Sequence, residues 1–187
     1  MTFLFKLLSS LLIAFGLAFF LYQREIARTS RYDEWIRQEA TLRQIDPYLV
    51  KAVIWRETNF NSHYIGSNQE RGLMQITPIA AQEWQEKENG ESFQLDHLFD
   101  PQINITIGTW YLAQALKRWQ EWDDPIPFAL AEYNAGRANA LRWATSTNDI
   151  KLTAKDFLNQ ITFPSTKNYI ITTMEKYKTY RNQAKFY

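Results

Sequence analysis

The sequence predicts an all-α fold, and three observations carry that prediction. Asp46-Pro47, Thr77-Pro78 and Asp100-Pro101 each set a capping side chain before a proline suited to a first helical turn. Gly136 sits where a helix C-terminal glycine belongs. No stretch alternates apolar and polar residues long enough to make a sheet. Helices are expected in order over residues 32–44, 47–58, 78–87, 101–119, 127–135, 137–144, 153–160 and 166–182. The first follows Arg31; the second, third and fourth start on the three proline signals; the fifth ends at Gly136 and the sixth follows it. In the last, Tyr169, Ile170, Thr173, Met174, Tyr177 and Tyr180 form a stripe that docks on the core. Asp123 and Asp124 read as a solvated turn before Pro125.

Composition narrows the function classes. At 187 residues, 45% hydrophobic and 22% charged, the chain is long and apolar enough for one domain with a buried core. Lys and Arg number 21 against 20 Asp and Glu, and only Lys6 of all these lies before Gln23. So balanced a surface argues against nucleic acid as a partner. The absence of Cys excludes a disulfide framework, a thiolate zinc site, a Cys nucleophile and a lipid-modified Cys. His63 and His97 stand alone, without ligands at metal spacing, so neither a metal nor a cofactor is expected. The aromatic content, 16% with seven Trp and ten Tyr, suits a core first and a sugar-stacking groove second.

The first segment stands apart. From Leu7 to Tyr22 the chain is uncharged and mostly apolar, slightly short of the roughly 20 residues that span a bilayer. With no clear small-x-small cleavage site behind it, an uncleaved transmembrane anchor is expected over residues 1–22, in preference to a signal peptide. Residues 23–44 are expected to form a connecting helix and residues 45–187 a single folded domain. Lys6 before the segment and Arg24, Arg28 and Arg31 after it leave its orientation open.

One carboxyl stands where a core residue belongs. Val50, Val53 and Ile54 occupy one helical stripe, and the next position on it is Glu57. Lost hydration and the negative end of the helix dipole both favour the neutral acid there. A carboxyl kept protonated near pH 7 can serve as a general acid. For a lone Glu at a helix end, fraying into solvent or pairing with Arg56 is the commoner state.

The surrounding motifs shift that balance. Glu57-Thr58-x-Phe60 and Gly72-Leu73-Met74-Gln75 are followed by Asp100-Pro101-x-x-Asn104-Ile105-x-x-Gly108-x-x-Tyr111-Leu112. Then come Ala129-Leu130-Ala131-Glu132-Tyr133-Asn134-Ala135-Gly136 and Phe163-Pro164-Ser165-Thr166-x-x-Tyr169. Together, in this order, they resemble the lysozyme-like lytic transglycosylases of bacterial cell walls over about residues 45–177. Thr58 stands where that family usually has Ser, Glu70 and Arg71 where it has small residues, and Ser165 where an acid is common.

The resemblance implies a lysozyme-like multi-helix domain with a deep glycan cleft. It implies cleavage of the β-1,4 bond between N-acetylmuramic acid and N-acetylglucosamine in peptidoglycan, without hydrolysis, giving 1,6-anhydro-muropeptides. Glu57 would act as acid and then base, aided by the substrate's own acetamido group in place of a second carboxylate. Thr58, Phe60, Met74, Gln75, Tyr133 and Asn134 would bind substrate, with the Tyr133 phenol on the carboxyl or the acetamido group. Simpler roles stay open: core packing for Met74 and Tyr133, a helix cap for Asn134. With peptidoglycan as partner and residues 1–22 in the membrane, the domain would work outside the cytoplasm in the bacterial envelope; no partner assembly is specified. The rivals are a muramidase using Glu70 or Glu132 as second carboxylate, and a non-catalytic module that holds cell-wall glycan.

Overall fold

Three helices begin where an acceptor precedes a proline. The Asp46 carboxylate accepts from the Tyr48 amide at 2.9 Å, Thr77 from Ala80 at 3.1 Å, and Asp100 from Gln102 and Ile103 at 2.9 and 3.0 Å. Each cap satisfies donors that a first turn leaves without an intrahelical partner, and stabilises by about 1 kcal/mol.

The structure, a computed structural model, describes residues 2–88, 94–145 and 151–184, with side chains from residue 11 onward. In chain order the helices are α1 (Thr2–Ser30), α2 (Asp33–Leu42), α3 (Pro47–Thr58), α4 (Pro78–Glu88), α5 (Pro101–Arg118), α6 (Ile126–Ala135), α7 (Arg137–Ala144), α8 (Ala154–Gln160) and α9 (Pro164–Ala184). A short 3-10 helix, Leu95–Phe99, precedes α5 and carries no periodicity by which the sequence would reveal it. The last helix opens on Pro164, two residues before the expected start, because a proline at the first helical position loses no hydrogen bond. Among the described residues there is no strand, only isolated antiparallel bridges pairing Ile65 with Arg71 and Arg71 with Ile76.

The chain divides into two units, Met1–Glu34 and Trp35–Tyr187. In the first, α1 leaves the apolar residues from Leu11 to Tyr22 exposed, Leu12 and Phe15 at 72%. The same helix then runs on through Arg24, Glu25 and Arg28, with Arg28 and Glu25 paired at 2.6 Å. These charges end the apolar run, and no helix among the described residues is long and apolar enough to cross a membrane. The transmembrane helix expected over residues 1–22 is not shown as such; the side chains of its first ten residues lie outside those described.

In the second unit, α6 is the central helix. Pro127, Phe128, Ala129, Leu130, Ala131 and Glu132 are all buried in it, since α5, α7, α8 and α9 pack around it. Phe128 lies between Phe157 of α8 and Trp119 at the end of α5, with ring centroids 4.0 and 5.3 Å away. Much of the aromatic surplus is therefore core, and truncating such a ring costs about 3–5 kcal/mol. On the other side, α3 packs along α9 with Val50, Val53 and Ile54 fully buried. The long connection from α3 to α4 is tied to the end of α3 through Thr58 and to α5 through Asn104.

Candidate active site

The apolar stripe of α3 leads directly to Glu57. Its carboxyl, half-buried in the last turn, is pushed up to about 7. Burial is the chief cause and the charge of Glu70 adds to it, against a hydrogen bond from Tyr169 and the charge of Arg56. The Tyr169 phenol on α9 donates to Glu57 Oε1 at 2.7 Å. Burial, and then the nearby Glu57 charge, hold that phenol well above its ordinary value, so it remains a neutral donor. Tyr169 is part of the closing motif, but its helical spacing reads as core packing; only the docking of α9 on α3 shows it on the carboxyl.

The Gly72–Gln75 turn is the second wall of the site. Gly72 takes φ +73°, and a Cβ there would stand 2.2 Å from the Leu98 carbonyl and 2.3 Å from Asn104 Nδ2, so no side chain fits. Asn104, buried on α5, accepts from the Met74 amide and donates to the Arg71 and Leu98 carbonyls, each at 2.8 Å. Bare helix backbone at Gly108 admits the Met74 side chain; a Cβ there would lie 2.5 Å from its sulfur. Thr58 Oγ1 donates to the Leu73 carbonyl at 2.9 Å, which ties the turn to the end of α3. Backbone strain gathers here. Asn59, Phe60, Gln69 and Gln75 all take positive φ, a conformation that costs non-glycine residues about 1 kcal/mol or more.

The third wall is the end of α6. Tyr133 donates to the Met74 carbonyl at 2.8 Å and meets the Tyr111 ring edge-on at 5.8 Å. Its phenol therefore supports the turn and does not bond the Glu57 carboxyl. Gly136, at φ +83°, ends the helix just after Asn134.

These walls enclose a cleft of about 280 Å³ lined by Glu57, Tyr64, Gly66, Ser67, Glu70, Gln75, Thr77, Tyr133 and Asn134. Of the residues singled out in the sequence, Glu57, Gln75, Tyr133 and Asn134 meet there. Thr58, Phe60 and Met74 do not: Phe60 and Met74 are buried beneath the surface, and Thr58 is spent on the Leu73 carbonyl. Tyr64, Ser67 and Thr77, which the motifs did not mark, add hydroxyls. The two other carboxylates part company. Glu70 faces the cleft; burial raises it, but the Asn68 side-chain amide and backbone N–H groups that donate to it outweigh burial and lower it. Glu132 is buried away from the cleft, paired with Arg118 and accepting from Trp119 Nε1 at 2.7 Å.

Among the described residues no three His, Asp or Glu side chains gather to hold a metal. His63 stacks on Phe99, and His97 accepts from the Gln94 amide.

Residues 34–155 match the family described as the transglycosylase SLT domain. The chain belongs to that family. It is 32% identical over 118 residues to the membrane-bound lytic murein transglycosylase F of Desulfosudis oleivorans, covering 62% of this chain and 24% of that one. It is 29% identical over 141 residues to the membrane-bound lytic murein transglycosylase C of Shigella sonnei, covering 72% and 38%. The chain thus spans less than half the length of these relatives. The fold is that of the 70 kDa soluble lytic transglycosylase of Escherichia coli, with a TM-score of 0.75 at 24% identity over 82% of this chain and 24% of that one. The SLT domain here is therefore lysozyme-like and helical.

Proposed function

We propose that this chain is a peptidoglycan lytic transglycosylase. It breaks the β-1,4 bond between N-acetylmuramic acid and N-acetylglucosamine and closes a 1,6-anhydro ring without adding water. One observation carries the reading: an acid near pKa 7 in the wall of a polar cleft, oriented by a neutral phenol. Membership of the SLT family and relatives named as murein transglycosylases support it.

With Oε1 accepting from Tyr169, Oε2 is the oxygen left to carry the proton. Glu57 gives that proton to the glycosidic oxygen as the bond to C1 breaks, and the muramyl acetamido oxygen bonds C1 in its place. The sugar's 6-hydroxyl then attacks C1, expels the acetamido oxygen and returns its proton to Glu57. A pKa near neutrality suits both halves of this cycle. Gln75, Tyr133 and Asn134 are proposed to meet the sugars, and Thr58, Phe60 and Met74 to shape the wall behind them.

The apolar segment within residues 1–22 is proposed to hold the chain at a membrane, ahead of a connecting region over 23–44, built from the end of α1 and from α2 in place of the one helix expected, and the catalytic domain over 45–187. Lys6 then stays in the cytoplasm and the cleft faces the envelope. The exposed Leu11–Tyr22 face supports this placement. Fractionation should leave the full-length chain with membranes and open to protease from outside; a soluble product beginning after Ala14 or later would refute the anchor.

Glu70 gives the hydrolytic alternative its one specific support, because it lines the same cleft as a lowered carboxylate able to direct water. Mass analysis of digested sacculi separates the two. Anhydro products are lighter by one water, whereas hydrolysis leaves reducing ends.

A further inference from the structure

A second concavity lies directly behind the catalytic carboxyl. It is a surface groove of about 450 Å³ between α3 and α9, lined by Trp55, Arg56, Asn59, Asn168 and Thr172. Its chemistry is opposite to that of the cleft. The cleft lining has two carboxyl groups and no cation; the groove lining has a guanidinium and no acid.

Arg56 is held in place without an ion pair among the described residues, although its charge also acts on the neighbouring Glu57. Its Nε donates to Thr172 Oγ1 at 3.0 Å, and Thr172 donates its own proton to the Asn168 carbonyl at 2.9 Å. The guanidinium lies over the Tyr169 ring, 5.2 Å from the centroid. Its two terminal nitrogens have no hydrogen-bond partner among the described residues and form no ion pair there. Lys176, one turn further along α9 than Thr172, rests over the Trp55 ring at 4.8 Å and adds positive charge to the rim. An oriented guanidinium with a free edge is built to take a carboxylate through two parallel hydrogen bonds. Tyr169 separates the two sites: its hydroxyl is on Glu57, its ring beneath Arg56.

We propose that this groove binds a carboxylate of the substrate outside the scissile sugars, carried by the peptide attached to the glycan strand, with Arg56 forming the ion pair. This rests on the reading that the glycan lies in the Glu57 cleft. A strand seated there would then be held at two points, by its sugars in the acidic cleft and by its peptide in the basic groove.

The test measures binding rather than turnover, in the full chain carrying Glu57→Gln so that nothing is cleaved. Three soluble probes are titrated: a muramyl disaccharide bearing its peptide, the same compound with its peptide carboxylates converted to amides, and the peptide-free disaccharide with its free lactyl carboxylate. The peptide-bearing probe should bind about tenfold more tightly than its amide, a difference of about 1.4 kcal/mol. Arg56→Gln should abolish that preference while leaving affinity for the amide unchanged, and Arg56→Lys should keep part of it. Preference for the lactyl carboxylate over the peptide-bearing probe would overturn the peptide assignment, because that anion belongs to the muramyl sugar itself. Equal binding of all three, or a preference that survives Arg56→Gln, overturns the groove alone. Failure to bind any of them overturns the glycan reading as well.

Discussion

The phenol of Tyr169 donates to the carboxyl of Glu57 at 2.7 Å, across 112 residues of chain. The contact joins the end of α3 to the first turns of α9. It orients the acid at the point where the two helices close on each other. A half-buried carboxyl with a single fixed donor has one oxygen committed and one available, which is what the proposed acid and base steps need.

Glu57 should make stability depend on pH with a definite sign. The folded protein holds this proton more tightly than the unfolded chain does. The resulting stabilisation is complete below about 4.5 and is lost as pH rises through about 7. Across that interval it amounts to about 3 kcal/mol. Denaturant titrations of Glu57→Gln, compared with wild type over the same window, should lack this dependence and show the variant at least as stable at pH 7. The same variant should lose at least a hundredfold in turnover, since assistance by one acid–base group is worth roughly 10²–10⁴.

Tyr169→Phe removes the hydrogen bond and keeps the buried ring. That bond pulls the Glu57 carboxyl down, so its loss should move the alkaline limb of the pH–activity profile upward. Turnover should fall roughly tenfold, the value of one hydrogen bond to a charged group. An unchanged profile would mean that Tyr169 is packing only.

Asn104 should matter to stability out of proportion to its size. Asn104→Ala orphans the Met74 amide and the Arg71 and Leu98 carbonyls, and should cost about 3 kcal/mol in chemical denaturation. Asn104→Asp has the same shape but turns an acceptor toward those two carbonyls, so it should not rescue. Gly72→Ala, which has no space for a Cβ, should be at least as damaging.

The two remaining carboxylates give opposite outcomes. Glu132→Gln breaks a buried pair with Arg118 and should lower stability by about 3 kcal/mol, yet keep activity per folded molecule. Glu70→Gln should keep anhydro products. Reducing-end products from wild type, with a dead Glu70→Gln, would establish hydrolysis instead.

Sequence alone determined the helical class, its main punctuation and the position of the acid. Those are local properties: an Asp or Thr before a proline, a glycine after a helix, and a carboxyl next on an apolar stripe each act through neighbours in the chain. Tertiary structure alone decided what faces that acid. Tyr133, expected on the carboxyl or on the substrate's acetamido group, donates to the Met74 carbonyl; Tyr169, which reads as a docking residue, is the phenol on the carboxyl; Met74 goes under the surface because Gly108 leaves it room. Glu70 and Glu132 look alike as candidates in the sequence, yet one lies in the cleft and the other under Arg118 and Trp119. The reason is physical. A side chain's partner across a seam depends on how two helices pack and on where a strained turn is pinned, and neither is encoded in the spacing of either segment by itself.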